Sequence, residues 1–277
     1  MATIDQTTVL SLLGTVAVLA TAYAVSLRVL PPHTRTKPRV LFIWHLFDSL
    51  IHFIFEGSFL WNCFFVHAPS SPSSSSSPFL PPDVHFLGRG DRTFGAAHGT
   101  GPLSRLWQEY ARADRRWGGT DLGVVSLELL TVCVGAPLAL WCADMVRRGE
   151  WDANRNSTTR GRGSGDKGMW FWMVVLATGE LYGGSFSFFF FFFFCSAARL
   201  PGFDIHLAFA GWMTFAPEWL SGSPNLDTSN FMYKWVYLIF FNTLWVFIPL
   251  WVLVEAYKGI TGRVTTRGGR VDGSKEL

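Results

Sequence analysis

Apolar residues gather into five stretches long enough to cross a membrane, and three of the five are interrupted by polar side chains at helical spacing. A hydrocarbon layer about 30 Å thick is spanned by about 20 apolar residues in a helix. Windows of that kind, with few or no charges, cover Thr8–Leu30, Val40–Val66, Leu122–Val146, Met169–Phe194 and Phe231–Tyr257. Because a backbone in lipid must satisfy its own hydrogen bonds, the pattern predicts an all-α fold, an integral membrane bundle of five transmembrane helices. The interruptions are His52 with Glu56 in the second span, Glu128 with Thr131 in the third and Asn242 with Trp245 in the fifth. Residues three or four apart share one helix face, so three helices can aim these pairs at one pocket. A carboxylate at bilayer depth is costly and normally faces a partner, a cavity or a substrate.

Composition agrees with the pattern. Of 277 residues, 49% are hydrophobic and 16% aromatic, too apolar for an ordinary soluble domain. No Lys or Arg precedes the first span, which therefore reads as a retained helix and not a cleaved signal peptide. The chain divides into a first transmembrane helix with a lumenal N-terminus (1–30), a membrane domain (38–258) and a disordered cytosolic tail (259–277). Basic residues split fifteen against eight between the two sides, with the loops after spans one and three and the tail on the richer side. The bias toward basic cytosolic loops predicts a lumenal N-terminus and a cytosolic C-terminus. The Asn156-Ser157-Thr158 sequon then faces the cytosol and is expected to stay unglycosylated. A net charge of +3 follows from this topological bias and gives no footprint for nucleic acid.

Two connecting segments stand out. Residues 67–104 include a Ser and Pro rich run, Ser70 to Ser77, that cannot build a core and reads as a flexible lumenal loop. It leads into Leu106-Trp107-Gln108-Glu109-Tyr110, whose mix of large apolar and charged residues suits a helix at the membrane interface. Residues 184–210 contain an unbroken Phe run, Phe188 to Phe194. Removing them joins Gly183 to Gly211-Trp212-Met213 and restores a span of ordinary length. This stretch is read as a retained intron translated in frame, because a pyrimidine tract would encode the Phe run; an abundant, uninterrupted message would overturn that reading.

In a dry site a carboxyl group keeps its proton more readily, so one Glu can serve as an acid while a neighbouring His or Glu serves as base. Trp245 adds a π-face able to stabilise a developing positive charge. The alternative for Thr131 and Asn242 is ordinary hydrogen bonding between helices. Glu180 with Tyr182 on span four, and Tyr110, are further candidates for lining the pocket. His45 and Asp48 are placed nearer the cytosolic entrance, in solvated or capping roles. Asp114, Arg115 and Arg116 read as a surface ion-pair cluster. Cys63, Cys133, Cys142 and Cys195 lack the spacing of a metal site or disulfide framework, so they are expected to pack. No phosphate loop or nucleophile elbow is present, and no cofactor or metal is expected.

Five segments, taken in order, resemble the emopamil-binding protein family and its EXPERA domain. They are Ile51-His52-Phe53-Ile54-Phe55-Glu56-Gly57, Leu106 to Ala111 with Asp114-Arg115, Leu127-Glu128-Leu129-Leu130-Thr131, Gly179-Glu180-Leu181-Tyr182-Gly183 and Phe241-Asn242-Thr243-Leu244-Trp245. The family contains the 3β-hydroxysteroid Δ8,Δ7-isomerase of the endoplasmic reticulum. The resemblance implies a multi-pass enzyme of that membrane, which moves the B-ring double bond of a sterol by protonation at C9 and loss of a proton from C7. It assigns proton transfer to Glu128 and His52, with Glu56 sharing or orienting that proton. Thr131 and Asn242 would fix the carboxylate and the ring, and Trp245 would face the cation. The implied partners are a sterol substrate, the lipid bilayer and amine drug-like ligands; whether the chain forms a homodimer is left open by the sequence. The alternative within the same superfamily is a non-enzymatic sterol-binding or sterol-trafficking protein of the sigma-2 receptor kind. The 184–210 stretch departs from the family pattern directly after Tyr182-Gly183, where a pocket wall belongs.

Overall fold

The computed structural model describes residues 6–70, 78–81, 83–151, 165–184 and 212–268. Its long elements are helices: α1 (Gln6–Val29), α2 (Thr36–Phe65), α3 (Pro102–Tyr110), α4 (Leu122–Arg147), α5 (Gly165–Gly184), α6 (Trp212–Leu220) and α7, made of Met232–Phe241 and Asn242–Gly268. Two short strands, β1 (His67–Pro69) and β2 (Arg92–Phe94), pair antiparallel with His67 opposite Phe94.

Four helices are long and apolar enough to cross a membrane: α1, α2, α4 and α7. The fifth expected span, 169–194, is helical from Gly165 to Gly184 and the rest of it lies outside the described residues. The count of five is therefore not reached among the described residues, because that window drew its length from the Phe run. Residues 185–210 and the Asn156 sequon also lie outside the described residues. The last helix continues to Gly268, past the point where the sequence places a disordered tail, since a helix once nucleated adds residues cheaply.

The bundle core joins α2, α4, α5 and α7. Leu41, Phe42, Phe47 and Ile51 of α2 meet Ala139, Cys142, Ala143 and Val146 of α4, with Met169 and Met173 of α5 and Val252 of α7 completing the cluster. Small residues on α4 let the α2 backbone approach closely, as membrane helix pairs require. Helix α1 packs against α2 but leaves Val9, Leu10, Leu13, Val16 and Leu19 exposed, as expected of a lipid-facing helix. Cys63 and Cys142 are buried in packing positions, and Cys133 is exposed.

Three helices depart from α geometry at the positions that carry polar residues. Backbone hydrogen bonds widen to π spacing over His52–Glu56, Thr131–Gly135 and Met232–Phe241, the last ending at Asn242. The Gly57 N–H, for example, donates to the carbonyl of His52. Such wide turns re-aim side chains and recur at functional sites.

A folded cap closes one end of the bundle. Its ordered parts correct the reading of 67–104 as a flexible loop: Phe86 and Phe94 are buried against Phe59 and Trp107, because a loop carrying large apolar residues gains by covering the helix ends. Residues 71–77 of the Ser run lie outside the described residues. Helix α3 lies in this cap, with Trp107 stacked on Trp117 at 5.0 Å. Glu109 ties α3 to the bundle, accepting hydrogen bonds from Thr8 at 2.8 Å and from the Tyr237 hydroxyl at 3.2 Å.

The Asp114 and Arg116 pair is not a surface cluster. Both residues are buried, the Arg116 guanidinium forks onto both Asp114 oxygens at 2.6 to 3.2 Å, and Glu218 lies 3.6 Å from Arg116 Nε. The segment following Leu220 folds back across them: Arg115 N–H donates to Asn225 and Asp227 N–H donates to Ala113. Sequence spacing could not show this, because the cover comes from residues more than a hundred positions away.

Candidate active site

Helix α2 contributes Asp48, His52 and Glu56, one helical turn apart and pointing into the bundle. The His52 ring sits between two carboxyl groups. Its Nδ1 lies 2.5 Å from Glu56 Oε2, and its Nε2 lies 3.2 Å from Asp48 Oδ1. Thr131, at the start of the π turn in α4, donates to Glu56 Oε2 at 2.5 Å. The same hydroxyl lies 3.3 Å from Glu128 Oε2, and Glu56 and Glu128 are themselves in hydrogen-bond contact. The Trp245 indole N–H of α7 donates to Asp48 Oδ1 at 2.7 Å, and its ring centroid lies 6.4 Å from that of His52. Trp44 and Phe47 flank the same indole at 5.7 and 6.2 Å.

One continuous network thus runs Trp245–Asp48–His52–Glu56–Thr131–Glu128. Glu180 of α5 joins it through Asp48. Asp48, His52 and Glu128 are buried, whereas Glu56, Thr131, Glu180 and Trp245 keep part of their surface accessible. Such an arrangement can hold, donate and recover protons in a place shielded from water, with an aromatic face close to the charge that would form.

Of the nine residues singled out from sequence, His52, Glu56, Glu128, Thr131, Trp245 and Glu180 come together. Asn242 does not touch the carboxyl groups. Its side-chain amide donates to the Leu238 and Tyr237 carbonyls at 2.9 and 3.1 Å and reaches the Tyr110 hydroxyl at 3.4 Å. Asn242 therefore holds Tyr110 and the wide turn before it, and Tyr110 in turn stands close enough to Glu128 to feel its charge. Burial pushes the Tyr110 phenol above its ordinary range, with the Asn242 hydrogen bond pulling the other way, so it stays a neutral donor. Tyr182 points out of the bundle, 58% exposed, because two residues along a helix from Glu180 lies on nearly the opposite face.

Asp48 is what the sequence reading misplaced. Neither it nor His45 is solvated: Asp48 is fully buried at the junction of His52 and Trp245, and His45 is buried with Nδ1 at 2.7 Å from the Leu41 carbonyl. The available signal was the spacing Asp48, His52, Glu56, three ionisable groups on one stripe of an apolar helix. A surface concavity of about 730 Å³ lies elsewhere, at the cap end of α2, lined by Trp61, Asn62, His67 and His98 among others. Among the described residues no group of His, Cys, Asp and Glu has the arrangement of a metal site.

The chain matches the family model described as EBP: EXPERA (EXPanded EBP superfamily) over residues 102–198 and 206–256. The matched region contains Tyr110, Glu128, Thr131, Glu180, Asn242 and Trp245, while Asp48, His52 and Glu56 precede it. Its break falls inside the 184–210 stretch. The chain is also similar to the 3-beta-hydroxysteroid-Delta(8),Delta(7)-isomerase of Mus musculus, 23% identical over 169 residues, which cover 61% of this chain and 55% of that protein. The protein of the same name from Rattus norvegicus is 23% identical over 159 residues, covering 57% and 50%. The chain thus spans about half the length of these curated relatives.

Proposed function

Because this chain belongs to the EXPERA family, and because it places a His between two carboxyl groups beside an indole face inside the bilayer-spanning bundle, we propose that it is a sterol Δ8–Δ7 isomerase. The observation that carries the reading is the run His52–Glu56–Thr131–Glu128 with the Trp245 ring 6.4 Å from the imidazole. The reaction needs a proton donor, a proton acceptor and stabilisation of a cation between two steps. A proton from the acid adds to C9 of the C8–C9 double bond, leaving a carbocation at C8. Loss of the C7 proton to the base then supplies the electron pair of the new C7–C8 double bond.

Glu128 serves as donor within the Glu56–Glu128 pair, and His52 with Glu56 provides the acceptor. Thr131 sets the distance between the two carboxyl groups, and Trp245 faces the cation. Asn242 acts through Tyr110, which it holds beside Glu128. The site is open to amine ligands, whose charge mimics the cation. The enzyme resides in the endoplasmic reticulum membrane with its N-terminus lumenal, in keeping with the distribution of basic residues.

The test is conversion of a Δ8-sterol in microsomes from isomerase-deficient yeast, comparing the chain as written with one lacking residues 184–210. Conversion by both supports the isomerase and makes the stretch a tolerated loop. Conversion only by the shortened chain supports the isomerase and the retained-intron reading together. If neither converts sterol although both are folded, the isomerase reading falls and a sterol-binding role replaces it.

Replacing Trp245 separates its two contributions. Trp245→Phe keeps an aromatic face but removes the N–H donated to Asp48, whereas Trp245→Leu removes both. Cation stabilisation by an aromatic ring in a dry site is worth about 2 kcal/mol, or roughly 30-fold in rate. Conversion is expected to fall by about that factor more in the Leu variant than in the Phe variant. Equal losses would assign Trp245 to holding Asp48 alone.

A further inference from the structure

The proton chemistry described above does not use Asp48 and Glu180, yet they occupy the other side of His52. Asp48 is fully buried, with Oδ1 taken by the Trp245 N–H at 2.7 Å and His52 Nε2 at 3.2 Å. Its carboxyl group is also in hydrogen-bond contact with that of Glu180. One oxygen of each, Asp48 Oδ2 and Glu180 Oε1, is buried without a donor from the rest of the protein. Two carboxylates cannot satisfy one another, since each only accepts; a single proton between them satisfies both oxygens and removes one charge. His45 is committed to the Leu41 carbonyl, and the nearby Cys142 thiol of α4 makes no hydrogen bond to either oxygen.

We propose that Asp48 and Glu180 form a carboxyl dyad sharing one proton, and that His52 connects this dyad to the Glu56–Glu128 pair so that the site is reset from within after each turnover. The turnover part rests on the isomerase reading; the shared proton does not. Isomerisation consumes no net proton, but it leaves the proton on the acceptor and the donor empty. In a site shielded from water that proton must return through the protein. The C7 proton taken up by Glu56 passes to Glu128 across their contact, while His52 is lent a proton by the dyad through Nε2 and returns it there, so that Glu128 ends protonated and the dyad unchanged. An imidazole with a carboxyl group on each ring nitrogen is suited to this, since it takes a proton at one nitrogen and releases one from the other. Asp48 is then both the far terminus of the relay and, through the Trp245 N–H, the group that fixes the indole beside His52.

The experiment uses the full chain in detergent, with Glu180→Gln and Asp48→Asn. Both substitutions keep the shape of the side chain and a hydrogen-bonding oxygen, and thermal unfolding confirms that each variant is folded. Infrared difference spectra against the unsubstituted protein, in H2O and D2O, read the carbonyl stretch of protonated carboxyl groups. Each variant is expected to lose one such band that shifts in D2O. The band of protonated Glu128 is common to all three proteins and cancels in the difference; a difference spectrum with no lost carboxyl band in either variant overturns the dyad. Steady-state conversion of the Δ8-sterol reads the relay: kcat is expected to fall about tenfold or more in Glu180→Gln, with KM within about twofold. Loss of the band with kcat unchanged overturns the relay. Loss of the band in variants of a protein that converts no sterol leaves the dyad standing and overturns the isomerase reading instead.

Discussion

On the isomerase reading, Glu128→Gln is expected to lower Δ8 to Δ7 conversion by about 10²- to 10⁴-fold, the usual worth of a general acid, while the protein stays folded. Glu128 is buried, with contacts to Thr131 and Glu56 as its polar surroundings. A Gln side chain has the same length and shape. Its amide donates to Glu56 in place of the carboxyl proton, and Thr131 keeps its own hydrogen bond to Glu56, so both neighbours keep a partner. What is lost is a proton that can be given to carbon. Glu128→Ala is a poorer test, since it leaves Glu56 and Thr131 facing a void and mixes chemistry with packing. The measurement is product formation per folded protein in microsomes, with thermal unfolding run in parallel. Conversion within about tenfold of the unsubstituted chain would move the donor to Glu56 and His52.

Arg116→Ala is expected to destabilise the protein by about 3–5 kcal/mol, the cost of leaving buried carboxylates without their cation. Arg116 holds Asp114 with a forked pair of hydrogen bonds and approaches Glu218, and all three are buried in the cap. Burial holds the Asp114 carboxyl above its ordinary range in spite of Arg116, so the ionised pair contributes little net stability even though breaking it is expensive. A group whose folded pKa is raised binds its proton more tightly in the folded state. Acidification through the carboxylate range is therefore expected to narrow the deficit of Arg116→Ala, because Asp114 then takes a proton in place of the missing cation. Adding Asp114→Asn to Arg116→Ala is expected to recover part of the loss at neutral pH. Thermal unfolding of the three proteins in detergent measures both effects. A deficit below about 1 kcal/mol in the single variant would return this cluster to the surface role that its sequence suggests.

On the isomerase reading, the same cluster bears on the site indirectly. Asp114 and Arg116 anchor the segment after α6 against the end of α3, and α3 carries Tyr110, which reaches Asn242 and lies within range of the Glu128 charge. A loosened cap is expected to lower conversion through Tyr110 as well as through stability.

The sequence by itself determined the membrane class, the helical fold and the stripe positions of His52, Glu56, Glu128, Thr131 and Trp245. Those follow from periodicity and from the cost of a buried charge, both local properties of a chain. It also carried the family, through motifs that stand in order along the chain. Only the tertiary structure decided which groups meet. Asp48 was legible as a member of the α2 stripe but not as a buried one, because its depth depends on Glu180 and Trp245 arriving from helices far along the chain. Asn242 and Tyr182 share helices with site residues yet lie off the carboxyl network, since a wide turn or a two-residue offset re-aims a side chain that spacing alone leaves free. The Asp114–Arg116 pair is buried by residues about a hundred positions away. Periodicity reports which face of a helix is apolar; it holds no information about what another helix will place against that face.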